Sequence, residues 1–180
     1  MARNYLEKKR LSPYLLVHPD LETEFSGLIS AEPNAVLVGD AAHAFTYENM
    51  NAAFRLLLEG APLLAMGVNR YFLEVDKFIL DAGPFVAALE YATGTQATVL
   101  GKPSREFYRE AVASLGCDPG ETVMVGDDVE ADVIGAIEAG LEALLVRTGK
   151  YRAGDEQKLA GKAACVADIG EAVERILAMP

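Results

Sequence analysis

The stretch Thr122-Val-Met-Val-Gly-Asp-Asp-Val-Glu-Ala-Asp132 constrains this chain more than any other. An apolar run that stops at a glycine and leads into a helical pattern reads as a buried strand followed by a helix. Its acids then lie at the carboxyl end of the strand, where open α/β sheets bind their ligands. Asp127 ends the strand, and Asp132 falls on the first turns of the next helix, close enough to join a shared site. Carboxylates gathered at one place repel each other and are costly to hold together unless a cation sits between them. A hard, oxygen-only set suits Mg²⁺. Asp128 and Asp132 also have a plainer use, complementing the positive end of the helix. For three acids after an apolar strand, a metal-assisted reaction on phosphate is the favoured chemistry.

Lys102 is the second chemical element. It lies between a short strand and a helix start, flanked by Gly101 and Pro103, where an ammonium backed by a helix dipole suits a phosphoryl oxygen. Alone it would be an ordinary turn lysine. Its pairing with the strand-Gly-Asp-Asp element downstream gives it weight.

The remainder of the chain alternates strand and helix, the grammar of a parallel α/β fold. Tyr14–Val17, Ala35–Gly39 and Pro62–Gly67 are short apolar runs closed by turn residues and read as strands. Residues 1–12 read as the end of a helix, and Leu21–Pro33 as a loop with a helical piece. Thr46 opens a helix whose apolar face is Met50, Phe54, Leu57 and Leu58. Asn69–Leu80 reads as a hairpin or excursion, and Gly83-Pro84 opens a helix that ends at Gly94. From Thr95 the alternation repeats: strand Ala97–Leu100, a helix ended by Gly116, the strand ending at Gly126, a helix from Val129 to Gly140, strands Ala143–Val146 and Ala163–Val166, and a closing helix through Ile169, Val173, Ile176 and Leu177.

Composition excludes several classes. With 16 Lys and Arg against 27 Asp and Glu, the net charge of −11 repels nucleic acid and anionic membranes. A phosphate site must therefore supply its own local positive charge. Cys117 and Cys165 are far apart with no Cys-x-x-Cys, so neither a zinc site nor a disulfide framework is indicated. His18 and His43 are single and unpaired. The polar residues 1–10 lack the apolar core of a signal peptide, and no run of eighteen apolar residues occurs. A cytoplasmic location is expected.

Gly101-Lys-Pro-Ser104, Val125-Gly-Asp-Asp-Val-Glu-Ala-Asp132, Gly135-Ala136, Ala139-Gly140 and Val146-Arg-Thr-Gly-Lys-Tyr151 resemble the third and fourth motifs of the haloacid dehalogenase superfamily and the sequence after them. Asn34–Gly39, Asn51–Leu58 and Gly83–Thr93 resemble the α/β cap of its type IIA subgroup. The resemblance implies an α/β fold: a cap over residues 1–94, opening with a residual core or linker helix, and over 95–180 the C-terminal half of a Rossmann-like core, a parallel sheet with helices on both faces. It further implies a Mg²⁺-dependent phosphatase that hydrolyses phosphomonoesters or phosphoramidates through a phosphoaspartate. By position, Lys102 is the charge-neutralising lysine and Asp132 the acid that holds the site together. Asp127 is a metal ligand, and Asp128 a metal-side or supporting group. Substrates of this kind are small phosphorylated molecules or phosphoprotein side chains, and a homodimer through the cap is the expected assembly.

The superfamily's first motif, an apolar strand followed by Asp-x-Asp-Gly, is expected upstream of the cap, and the 180 residues contain no such run. Val36-Leu-Val-Gly-Asp-Ala-Ala42 has a strand and an aspartate, but Ala42 stands where the acid/base should be, and Asp81 has no apolar strand directly before it. The expectation is a chain inactive alone, with an apolar strand edge left uncovered. Three accounts compete: a truncated phosphatase, one half of a split enzyme, or a non-catalytic interaction module.

Overall fold

The computed structural model describes residues 1–179, and the chain divides into two compact units, Met1–Gly101 and Lys102–Pro180. The first is built on a parallel sheet of β1 (Pro13–Leu16), β2 (Ala35–Val38), β3 (Leu63–Ala65) and β6 (Thr98–Val99), in that spatial order. Side chains alternate across a strand, and β2 shows the result. Val36 and Val38 pack with Ala53 and Leu57 of α3 (Tyr47–Leu58) and Val86 and Leu89 of α4 (Ala82–Thr93). Ala35 and Leu37 pack on the other face with Leu6 of α1 (Ala2–Lys9) and with Phe25. A strand covered on both faces must be apolar throughout, and all four residues of β2 are buried. Each fully buried Leu or Val side chain stabilises by about 1.5–3 kcal/mol.

Local chemistry sets the ends of these elements. Thr46 Oγ1 accepts the Asn49 N–H at 3.1 Å and starts α3, as an N-cap residue does. His18 caps the short α2 (Pro19–Glu22), its Nδ1 accepting the Asp20 N–H at 3.3 Å. Asp81 Oδ1 accepts the Ala82 N–H at the start of α4, and Asp40 Oδ1 closes a turn on the Ala42 N–H. Residues 69–80 form the antiparallel hairpin of β4 (Tyr71–Glu74) and β5 (Lys77–Leu80). The alternation groups Thr98–Val99 with the residues after it, yet β6 pairs with β3, Leu64 opposite Thr98 and Ala65 opposite Val99. The compact unit consequently runs on to Gly101.

The second unit repeats the plan with a parallel sheet ordered β7 (Val123–Gly126), β8 (Glu142–Val146), β9 (Ala164–Val166). One face packs Ala143 and Leu145 against Tyr108 and Val112 of α5 (Arg105–Leu115), with Val133, Ala136 and Leu159. Leu144, Val146 and Val166 pack on the other face with Ala172 and Ile176 of α7 (Ile169–Leu177). Helices therefore cover both faces, and β7 lies at the edge with β8 as its one strand partner among the described residues. Its four residues are only half-buried. No helix among the described residues is long and apolar enough to cross a membrane.

The helical stripe after Asp128 differs from a plain α-helix. Residues Val129–Ile134 form a π-helical turn that runs into α6 (Gly135–Ala139). The Val133 N–H reaches the Asp128 carbonyl five residues back, at 3.3 Å. Such wide turns occur mostly as single insertions in α-helices, often at functional sites. This one carries Asp132.

Candidate active site

Gly126 ends β7, and the three aspartates follow at the carboxyl end of the parallel strand, the ligand-binding side of such sheets. Asp132 is the buried charged residue of the described chain, 4% exposed. Its Oδ1 is 2.6 Å from Lys102 Nζ, and its Oδ2 accepts the Asp128 N–H at 3.2 Å. Both oxygens are thereby engaged within the protein. A buried carboxylate is tolerated only when paired and hydrogen-bonded, and Lys102 meets that need while its own side chain remains 39% exposed. An ammonium has three donors, so Lys102 can hold Asp132 and still face an anion.

Asp128 is the N-cap: its Oδ1 accepts the N–H groups of Glu130 at 3.1 Å and Ala131 at 3.0 Å. Its Oδ2 lies 3.7 Å from Lys150 Nζ, an ion-pair distance. The plainer use expected for Asp128 thus engages one of its oxygens, and the second faces the Lys150 ammonium. Asp127 Oδ2 accepts the Lys150 N–H at 2.7 Å, and its Oδ1 takes no hydrogen bond among the described residues. The structure brings Lys102 to Asp132, and Lys150 to both Asp127 and Asp128.

Two glycines back this arrangement. A Cβ on Gly126 would fall on the Asp132 side chain, and one on Gly149 would fall on the Asp127 carboxylate. Gly149 also has φ +54°, in the left-handed region that glycine adopts without steric cost. Gly135 is tightly covered as well: a Cβ there would meet Pro103 at 2.9 Å and the Tyr108 ring at 3.1 Å. The residue after Lys102 is therefore packed against the helix that carries Asp132.

Tyr108, 2% exposed, completes the support. Its hydroxyl donates to the Ala131 carbonyl and lies 3.1 Å from that of Asp132. Burial drives its phenol far above the ordinary value, and the Asp132 and Asp128 carboxylates add to the rise. The group therefore stays a neutral donor. Tyr108→Phe leaves buried carbonyl groups without this donor, and the expected loss is about 1–2 kcal/mol in urea unfolding. A loss below about 0.3 kcal/mol would mean the hydroxyl does not hold the turn.

Sequence reasoning named Lys102, Asp127, Asp128 and Asp132 but missed Lys150 and Tyr108. Lys150 had a usable signal: Thr148-Gly149-Lys150 follows an apolar strand parallel to β7, so it belongs to the same sheet end. Tyr108 read only as part of a helix, and nothing in the sequence marks its hydroxyl.

Among the described residues no three His, Cys, Asp or Glu side chains form a metal-binding group. Asp127 Oδ1 takes no hydrogen bond among the described residues, and Asp128 Oδ2 is engaged by the Lys150 ammonium at 3.7 Å. Mg²⁺ keeps several waters and is commonly held by one or two carboxylates plus substrate phosphate. A donor set of two fits that habit.

A HAD-hydrolase-like family model matches residues 99–172. Haloacid dehalogenase-like hydrolase domain-containing protein 2 of Bos taurus is 52% identical over 158 residues, 88% of this chain and 61% of that protein. Human phospholysine phosphohistidine inorganic pyrophosphate phosphatase is 43% identical over 179 residues, 98% of this chain and 66% of that protein. The chain thus spans less than two thirds of these curated relatives. The crystal structure of 4-nitrophenylphosphatase from Thermotoga maritima superposes with a TM-score of 0.87 at 26% identity, covering 97% of this chain and 70% of that one. The motifs around Lys102 and Asp127, the two parallel sheets and these matches agree: the chain belongs to the haloacid dehalogenase superfamily of hydrolases, close to these two relatives.

Proposed function

We propose that residues 95–180 are the metal- and phosphate-handling half of a Mg²⁺-dependent phosphatase acting on phosphomonoesters or phosphoramidates, and that residues 1–94 are its cap. The observation that carries this reading is the Lys102–Asp132 pair at 2.6 Å, on the same strand end as an Asp127 with one uncommitted oxygen. Lys102 neutralises a phosphoryl oxygen, held in place by Asp132. Asp127, with Asp128 beside it, holds the cation. Bound Mg²⁺ would supply charge stabilisation to the phosphoryl group. The names of the relatives, one a phospholysine phosphohistidine inorganic pyrophosphate phosphatase and one a 4-nitrophenylphosphatase, support this chemical class.

No strand-Asp-x-Asp run occurs in the 180 residues to supply the attacking aspartate, and in this reading the chain alone does not turn over. One observation favours completion by another segment: β7 is paired on one side only, and its last residue is Gly126. A parallel strand added along β7 would end beside Asp127. The purified chain with Mg²⁺ is expected to leave p-nitrophenyl phosphate and phosphoramidates intact. Co-expression with a strand-Asp-x-Asp segment from a relative is expected to give turnover that falls about a thousandfold or more in Lys102→Met or Asp127→Ala. Turnover by the chain alone, abolished by Asp127→Ala, would contradict the proposal.

A second reading concerns the first unit. Tyr47, Leu58 and Tyr91, on α3 and α4, are strongly exposed, and an open apolar groove lined by Tyr47, Met50, Phe54 and Leu89 lies between these helices. This favours association of the cap with a second copy, which sedimentation velocity would detect as a dimer.

A further inference from the structure

We infer that Lys150 is a built-in counter-cation of the Asp127–Asp128 pair, a positioning residue that fixes Asp127 through its backbone and competes with a divalent cation through its ammonium. The inference rests on the metal reading above for its second half only. Three observations carry it. The Lys150 N–H holds Asp127 Oδ2 at 2.7 Å. Its Nζ lies 3.7 Å from Asp128 Oδ2, the oxygen that does not cap the helix. The side chains of Lys150 and Asp128 are only 27% and 26% exposed, so solvent screens the pair incompletely.

The charge count shows why such a group is needed. Asp127, Asp128 and Asp132 against Lys102 leaves two uncompensated negative charges at one strand end; Lys150 reduces this to one. Lys102 is committed to Asp132, whose other oxygen faces the Asp128 backbone. Lys150 is therefore the cation placed to relieve the Asp127–Asp128 repulsion when no metal is bound. The same charge lowers the affinity for a divalent cation, because a metal at Asp128 must displace or oppose the ammonium. It also keeps positive charge beside an incoming phosphate dianion. Gly149 permits this arrangement, because its missing side chain leaves room for the Asp127 carboxylate against the backbone.

Two measurements on the 180-residue chain test the inference separately from the metal reading. The first is a metal-free double-mutant cycle in urea at low salt, with Lys150→Met, Asp128→Asn and the double variant. Asn retains the cap oxygen. Lys150→Met alone is expected to raise the unfolding equilibrium constant about threefold to tenfold, and less than twofold in the Asp128→Asn background. Lys150→Arg should retain most of the stability. Equal effects in both backgrounds would overturn the counter-cation. The second is calorimetric titration with MgCl2: Lys150→Met is expected to bind about threefold to tenfold more tightly than the parent chain. Unchanged or weaker binding would overturn the competition. A coupled cycle with no Mg²⁺ binding in any variant would uphold the counter-cation and overturn both the competition and the metal reading.

Discussion

Asp132→Ala is expected to lower the stability of the second unit by about 2–4 kcal/mol in urea unfolding, among the largest losses from a single side chain of this chain. The substitution removes the partner of Lys102 at 2.6 Å and the acceptor of the Asp128 N–H at 3.2 Å, at a position only 4% exposed. Lys102 can turn to water, so the cost falls mainly on the orphaned backbone donor and the emptied space. Asp132→Asn keeps an acceptor of similar size and is expected to lose about half as much. Beyond stability, Asp132→Ala releases the ammonium that the proposed phosphate site needs fixed. A loss under about 0.5 kcal/mol would show that the pair is incidental to the fold.

Gly126→Ala is expected to cost about 2–4 kcal/mol, although it adds one methyl group. A Cβ at this position would land on the Cβ and carboxylate of Asp132, and neither the β7 backbone nor the π-turn can yield freely. Overpacking of a closed site commonly costs about 1–3 kcal/mol, and here displacement of the paired carboxylate adds to it. Because both substitutions damage the same contact, Gly126→Ala combined with Asp132→Ala should cost clearly less than the sum of the two. Additive losses would place the effect of Gly126 elsewhere, in the pairing of β7 with β8.

Much of this arrangement was legible in residue order. The strands followed from short apolar runs with turn residues after them, and β2 is apolar throughout because it is covered on both faces. The order of the acids gave their place at the end of β7. What escaped the reading depends on contacts between distant segments. Thr98–Val99 carries no mark that its partner is β3 rather than β7. The π-turn at 129–134 has the same apolar spacing as an α-helix, and its wider hydrogen bonding is visible only in three dimensions with Tyr108 beneath it. Lys150 is remote in sequence from Asp127, and only the parallel register of β7 and β8 brings them together. The repulsion among three acids, expected to demand a cation, is relieved in part by Lys102, Lys150 and backbone N–H groups.

Asp127 and its neighbours are proposed to be the metal-holding half of a phosphatase site. Calorimetric titration of the 180-residue chain with MgCl2, alongside Asp127→Asn, decides this. Asn is nearly isosteric and keeps an oxygen for the Lys150 N–H, so folding should persist. A single Mg²⁺ site is expected in the parent chain, with at least tenfold weaker binding in Asp127→Asn. Equal binding in the two proteins, or none in the folded parent chain at millimolar Mg²⁺, would contradict it.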